Sequence, residues 1–363
     1  MANVHNNLSE LFTGIADAIR SKTGSTDPIV ADEFPTAIER LGGDTEEMKK
    51  IIDRTLTSIE IPSDMNYIGV GAFHSCIDLK SVTFPNELSW IEDYAFYNCG
   101  SLDSTSLPES LTNIYPYAFM NCYNLALTAL PEGITSIGNH AFSGCGRLAL
   151  TSLPDGITYI NDHSFYECTN MRLTSLPVNV VAIGDYAFYN CKGLALTSLP
   201  ASVTSIGDYA FYSCRNLALT SLPDGITSIG DYAFCNCYYL PLTSLSEGIT
   251  SIGKLAFSGC SKLALTSLPD GITSIGDSAF SGCSALALTS LPDGTTSIGD
   301  YAFYNCKGLT SITFNGIPSS IGNNAFSSCS NLTTINVPWA EGELAGAPWG
   351  AKSATVNYNY TGD

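Results

Sequence analysis

Twelve cysteines recur every 23 residues from Cys76 to Cys329, and a thirteenth, Cys235, stands two residues before Cys237. Such a row of thiols could form disulfides or hold a soft metal. In-register side chains on neighbouring parallel strands keep their Cβ atoms about 4.8 Å apart, outside the roughly 3.5–4.5 Å span of a disulfide. Zinc takes four converging ligands, commonly from closely spaced cysteine pairs, and Cys235 with Cys237 is the one close pair. The row is therefore expected to be free thiols acting as small apolar core fillers, with no metal or cofactor. Cys235 fills a slot that holds Tyr or Ser elsewhere, so a more exposed thiol is expected there.

The four histidines, His5, His74, His140 and His163, lie in no pattern resembling a triad or a metalloprotease motif. No catalytic residue is expected and the chain reads as a non-enzyme. His140 and His163 share a repeat position beside Asn139 and Asp162, which leaves a weak surface metal site or two exposed polar residues in place of Tyr. The residue before Ala-Phe is Tyr at 94, 117, 186, 209, 232 and 301, with Asp before it at 93, 185, 208, 231 and 300. Tyr189 and Tyr212, directly after Phe, flank this stripe. Aromatic faces beside hydroxyls and carboxylates suit a sugar or an extended protein surface. Asp185, Tyr186, Asp208, Tyr209, Asp231, Tyr232, Tyr189 and Tyr212 are the candidate ligand-binding residues. The bland alternative is that Asp caps a small helical turn while Tyr covers the core edge. The Thr-Ser pairs from Thr151-Ser152 to Thr289-Ser290 are either a second recognition face, an ice-binding face or ordinary solvent-facing strand residues.

What positions these residues is a repeat. Phe stands at 73 and every 23 residues to 326, with Ile five residues before it and Cys three after, and no indel interrupts the array. The β-branched ITSI runs and the L-x-L-T-S-L-P segments look like strands, while Gly-Asp-x-Ala-Phe looks like one helical or 3₁₀ turn. One such coil cannot bury its apolar side alone, so neighbouring coils must stack.

The ends leave the period. Residues 1–50 read as helices: Leu8, Leu11, Phe12, Ile15 and Ile19 form an amphipathic stripe. That stripe expects a partner on another chain, either an assembly protein or a second copy in a homo-oligomer. Residues 339–363 end in the alternating strand ATVNYNY, and Trp339 and Trp349 are large enough to cover the last rung. The predicted organisation is a helical region at 1–50, a solenoid over 51–338 and a β cap at 339–363. The fold class follows as an α+β repeat solenoid with 23-residue coils.

Ile-Gly-x-x-Ala-Phe-x-x-Cys-x-x-Leu followed by Leu-Pro resembles the BspA-like (treponemal) leucine-rich repeat over residues 56–338. That resemblance implies a curved solenoid used in adhesion and surface recognition. The sequence departs from the pattern in one respect: the aliphatics three and five residues after the Leu of Cys-x-x-Leu, present as Val82/Phe84 and Ile312/Phe314, give way to Thr in the middle repeats, Thr105 to Thr289. The period-2 alternation slips by one residue, which predicts a bulge. The segments LFTGIADAIRSKTGSTDPIVADEFPTAI and PWAEGELAGAPWGA…ATVNYNYTG are similar to the ends of tail-associated proteins from phages and prophages of Gram-positive bacteria. This second resemblance implies a virion tail component engaged in host recognition, attached to tail or baseplate proteins through its N-terminal helices.

Thirty-four acidic against 15 basic residues give a formal charge of −19, which repels phosphate backbones and anionic membranes. Nucleic acid is thus not an expected partner. No apolar stretch approaches a membrane span and the first residues lack a basic, then apolar, leader, so neither insertion nor Sec export is expected. The sequence reads as a non-enzymatic recognition protein whose partner is a host cell-surface glycan or protein. A bacterial surface adhesin and a structural spacer are the alternatives.

Overall fold

The computed structural model describes residue 50 and residues 54–362, and the chain divides into two compact units at Arg172/Leu173. In each unit the 23-residue coil is laid down by three features of the sequence. Ile-Gly ends a two-residue strand, Ala-Phe and Cys point inward through a tight corner, and Leu-Pro returns the chain to the next strand.

In the first unit the strands Tyr67–Ile68, Trp90–Ile91, Asn113–Ile114 and Ser136–Ile137 pair in parallel, with Ile opposite Ile. In the second, Ala182–Ile183 pairs with Ser205–Ile206, and Ser228–Ile229, Ser251–Ile252, Ser274–Ile275, Ser297–Ile298 and Ser320–Ile321 form a five-stranded parallel sheet in the same register. Identical register one turn apart puts identical side chains in columns. The ring centroids of Phe73, Phe96, Phe119, Phe142 and Phe165 follow one another at 5.1 to 5.8 Å. Those of Phe188 to Phe326 do so at 5.2 to 5.6 Å. All these rings are buried. Each such stack adds about 0.5–1.5 kcal/mol to the burial itself.

Three expectations are corrected. Residues 54–362 contain short parallel strands and no α-helix, so the fold is a β-solenoid and not α+β. The helical region expected over 1–50 lies, except for Lys50, outside the described residues. The Gly-Asp-x-Ala-Phe segment is not a 3₁₀ turn, because its amides alternate in direction. Tyr186, Phe188 and Asn190 donate to Asp208, Ala210 and Tyr212 one turn on, at 2.8, 2.8 and 2.7 Å, while Tyr189 and Cys191 donate three residues back. Half of the amides needed for a helix are spent on the next coil. The L-x-L-T-S-L-P segments form ladders only towards the ends, at Ser58–Glu60 with Ser81–Thr83 and among Ser290–Leu291, Ser311–Phe314, Thr334–Asn336 and Thr355–Asn357. In middle coils the regular rung bond is a single one, such as Ala218 N–H to Leu196 O at 3.0 Å. There the Leu before Thr is buried and Thr and Ser are both exposed, so the extra inward Leu bows the pair outward and removes the strand.

At the far end Trp339 and Trp349 are buried, 5.3 and 5.9 Å from Phe314 and 6.2 Å from each other between ring centroids. Thr355–Asn357 adds the last parallel strand.

Candidate functional site

The backbone of each corner but the last passes twice through left-handed conformation. One such residue precedes Cys: Asn190, Ser213, Asn236, Gly259, Gly282 and Asn305 in the second unit, at φ of 57° to 77°. Asn and Gly suit that conformation, Asn by local hydrogen bonding and Gly by having no Cβ. The other precedes Ala-Phe, where Tyr186, Tyr209, Tyr232, Leu255, Ser278 and Tyr301 sit at φ of 51° to 56°. A Cβ in this region costs roughly 1–2 kcal/mol, so the backbone does not call for tyrosine.

The tyrosines instead pack on one another. Tyr186 to Tyr209 is 4.5 Å between centroids at 7°, Tyr209 to Tyr232 is 4.3 Å at 8°, and Tyr189 to Tyr212 is 4.7 Å at 4°. The structure thus brings the two tyrosine rows together, with Tyr209 also 5.9 Å from Tyr212. Ring faces in these rows meet one another and are not open to a ligand. What the half-buried rings offer outward is their edges and hydroxyls. Desolvation within the stack, reinforced by the flanking Tyr232 and Tyr186 phenols and by Asp231, pushes Tyr209 up to about 12.

The aspartates beside them are exposed, and each is tied to the coil that follows. Asp185 Oδ1 accepts from the Asp208 N–H at 2.8 Å, Asp208 Oδ1 from Asp231 at 2.7 Å, and Asp231 Oδ1 from Lys254 at 2.7 Å. The cap thus serves the next turn and not its own. A close approach makes this possible: a Cβ on Gly253 would lie 2.6 Å from Asp231 Oδ1 and 2.8 Å from the Asp231 amide nitrogen. The glycine that follows Ile in most repeats was the signal in the sequence that backbones meet at this corner.

The first unit carries its own column, Tyr94, Tyr117, His140 and His163, at 4.6, 4.7 and 4.2 Å between centroids. His140 Nδ1 is buried without a hydrogen-bond partner, and desolvation, with His163 beside it, lowers His140 to about 4 against the opposing pull of Asp162. A metal on Nε2 would need a protonated Nδ1 with a partner of its own, so the pair does not fit a metal. Among the described residues no cluster of three or more metal-ligating side chains occurs.

All thirteen cysteines are buried free thiols. Ladder thiols donate to the carbonyl of the Phe one turn earlier, as Cys99 does to Phe73 and Cys237 to Phe211, both at 3.0 Å. Burial raises them; Cys76 reaches about 12. Cys235 is 4% exposed, contrary to the expectation of an open thiol, and burial raises it to about 11 against the opposing pull of a hydrogen bond with the Ser258 side chain. The Thr-Ser pairs from Thr151-Ser152 to Thr266-Ser267 are exposed on the bowed segment of each middle coil.

A buried Ile, Phe, Cys and Leu column on a parallel two-residue strand matches the BspA type leucine-rich repeat region, which covers residues 52–172, 158–287 and 250–340. The chain belongs to this family. Among solved structures it is similar to a leucine-rich repeat protein from Bacteroides ovatus, at 28% identity over 84% of each chain with a TM-score of 0.61. It is also similar to a leucine rich cell surface protein from Faecalibacterium prausnitzii, at 30% identity over 82% of each chain with a TM-score of 0.53. A search of curated proteins finds no relative. BspA-type leucine-rich repeat proteins are generally non-enzymatic binding proteins and are often found at cell surfaces. No helix among the described residues is long and apolar enough to cross a membrane.

Proposed function

We propose that this protein recognises an extended glycan or protein at a cell surface through the corner built by Asp185, Tyr186, Asp208, Tyr209, Asp231 and Tyr232, with Tyr189 and Tyr212 beside it. The observation that carries this reading is a bulky residue kept where the backbone prefers glycine or asparagine. Left-handed tyrosine costs roughly 1–2 kcal/mol and its stacking returns about 0.5–1.5 kcal/mol, so the column is near neutral for stability. What it adds is a row of hydroxyls and ring edges beside exposed carboxylates, in fixed positions. A ligand meeting several rungs at once gains by multivalency although each contact is weak. Because the faces are stacked, such a ligand binds by hydrogen bonds and edge contacts. Replacing Tyr186, Tyr209 and Tyr232 by Ala should lower binding to purified wall glycan or whole cells by at least about tenfold. Unchanged binding would refute the assignment and move it to the Thr-Ser face.

A finer reading places the protein on a phage tail, engaging the host surface. It is supported by the similarity of residues 11–38 and of the segment from Pro338 to Gly362 to tail-associated proteins. Immunogold labelling of purified particles tests it: label on the tail is the expected result, and label confined to the cell envelope favours a bacterial adhesin.

A further inference from the structure

The second unit has a trough on the outer side of its five-stranded sheet that sequence reading did not single out. It measures about 710 Å³. One wall is the serine row Ser228, Ser251, Ser274, Ser297 and Ser320, brought into line by the Ser-to-Ser register of the sheet. The other wall is Asp208, Asp231, Lys254 and Asp277, and between them the floor is glycine, Gly230 to Gly299. We propose that this trough binds an extended, uncharged polysaccharide.

The floor explains what the trough cannot hold. Its amides are already used, Gly253 donating to Ile229 O at 2.9 Å and Gly276 to Ile252 O at 2.8 Å, so a peptide gains no strand pairing there. The only apolar side chains lining it, Ile229, Ile252, Ile275 and Ile298, are at most 2% exposed, so peptide side chains find no pocket. The glycines cannot be replaced to make one: a Cβ on Gly276 would lie 2.6 Å from the Lys254 amide nitrogen and 2.7 Å from the Gly253 carbonyl carbon. Three carboxylates against one ammonium disfavour an anionic polymer.

What remains is a channel of hydroxyls facing carboxylates, repeated about every 4.8 Å, the strand spacing. Vicinal sugar hydroxyls are donors and acceptors in pairs, and a carboxylate accepts from two at once. The carboxylates are already oriented, since Oδ1 of Asp231 accepts from the Lys254 amide at 2.7 Å and Oδ1 of Asp277 from the Asp300 amide at 2.9 Å. Oδ2 is then presented without an ordering cost, which favours binding. A linear chain lying along the coils would meet a serine hydroxyl at each rung and a carboxylate at every rung but that of Lys254, and bind by their number. The site shares Asp208 and Asp231 with the tyrosine corner but uses none of its tyrosines.

Affinity electrophoresis of the full chain through gels containing a soluble β-1,3-glucan, a β-1,4-mannan or amylose, with hyaluronan as the anionic control, tests the proposal. At least one neutral polymer should retard the protein and hyaluronan should not. Ser251→Arg with Ser274→Arg, which fills the trough, should weaken the retardation at least about tenfold, and the Tyr186, Tyr209 and Tyr232 alanine variant should retain it. Should the double arginine variant lose its cooperative melt, Asp277→Asn decides, since it keeps an Oδ1 acceptor for Asp300 and removes the charge; weaker retardation is expected. Absence of retardation by every neutral polymer, or arginine and asparagine variants that run as the wild type, overturns the trough. Loss in the tyrosine variant alone also overturns it and assigns the polymer to the corner, so failure of the two sites is read separately.

Discussion

Two aromatic columns run through each unit, one inside and one at the corner, and they stack at comparable distances for different reasons. The inner phenylalanines follow at 5.1 to 5.8 Å and are fully buried, and none of them is itself left-handed. The corner tyrosines follow at 4.3 to 4.5 Å, half exposed, on left-handed backbone. Stacking therefore does not distinguish a core residue from a binding residue. The backbone does: the inner ring is required by the fold, whereas the corner ring is held against the local preference of the chain.

The inner column should fail first under alkaline conditions. Burial raises the ladder thiols Cys329 to about 11 and Cys76 to about 12, and Cys235 beside the row to about 11, above an ordinary value of 9.0. The folded state thus keeps protons that the unfolded chain releases, and stability present below pH 9 is lost as pH rises through these raised values. Each such thiol contributes a slope of about 1.4 kcal/mol per pH unit, so denaturant midpoints should fall steeply between about pH 9 and 11. A flat profile across that range would show that the thiols are not buried as described.

Next in size is the direct exchange between columns. Phe211→Ala should cost about 3–5 kcal/mol in denaturant unfolding, as a large buried aromatic does. Tyr209→Ala should cost less, about 1–3 kcal/mol, because the two lost stacks are the main term and the left-handed strain is unchanged. Equal costs at the two positions would erase the distinction.

The corner can also be sharpened through its glycines. Gly253→Ala should destabilise by roughly 2 kcal/mol, within the usual range for a steric conflict, since its Cβ would strike Asp231. Gly271→Ala, whose nearest neighbour would be 3.6 Å away, should lie within about 0.5 kcal/mol of wild type.

The smallest effect expected is at acid pH in the first unit. His140 is lowered to about 4 by burial and by His163, so its contribution is present above pH 6.5 and is lost as pH falls towards 4. Melting temperatures of wild type and His140→Asn should converge as pH drops through that window; parallel curves would show no such linkage.

The inner column was legible in the sequence because 23-residue periodicity in Ile, Phe, Cys and Leu specifies burial directly, and each of those residues is buried as read. Strand placement was legible only where alternation held. At Thr197-Ser198 the extra Leu196 turns inward and removes a ladder that composition alone would assign. The corner was misread as a helical turn because Gly-Asp-Tyr-Ala-Phe has good helical composition, while the hydrogen bonds that decide it run to a coil 22 residues away. For the same reason the alternative reading of the aspartates made them caps of their own turns, whereas each accepts from an amide of the next coil. The tyrosine row was visible by spacing, but rows of rings seen in a sequence do not reveal that their faces are consumed by each other. Of the trough only Asp208 and Asp231 were visible, as members of the aspartate row, since serine and glycine at a strand end carry no signal until register lines them up.

The most direct test of the corner as a recognition surface is a paired measurement on Tyr186→Ala, Tyr209→Ala and Tyr232→Ala combined in one chain. Thermal melting and binding to purified wall glycan are read on the same preparation. A recognition corner gives a melting temperature within about 4 °C of wild type and binding weaker by at least about tenfold, or about 1.4 kcal/mol. Intact binding, or a melt that collapses as it would for the inner phenylalanines, would contradict it.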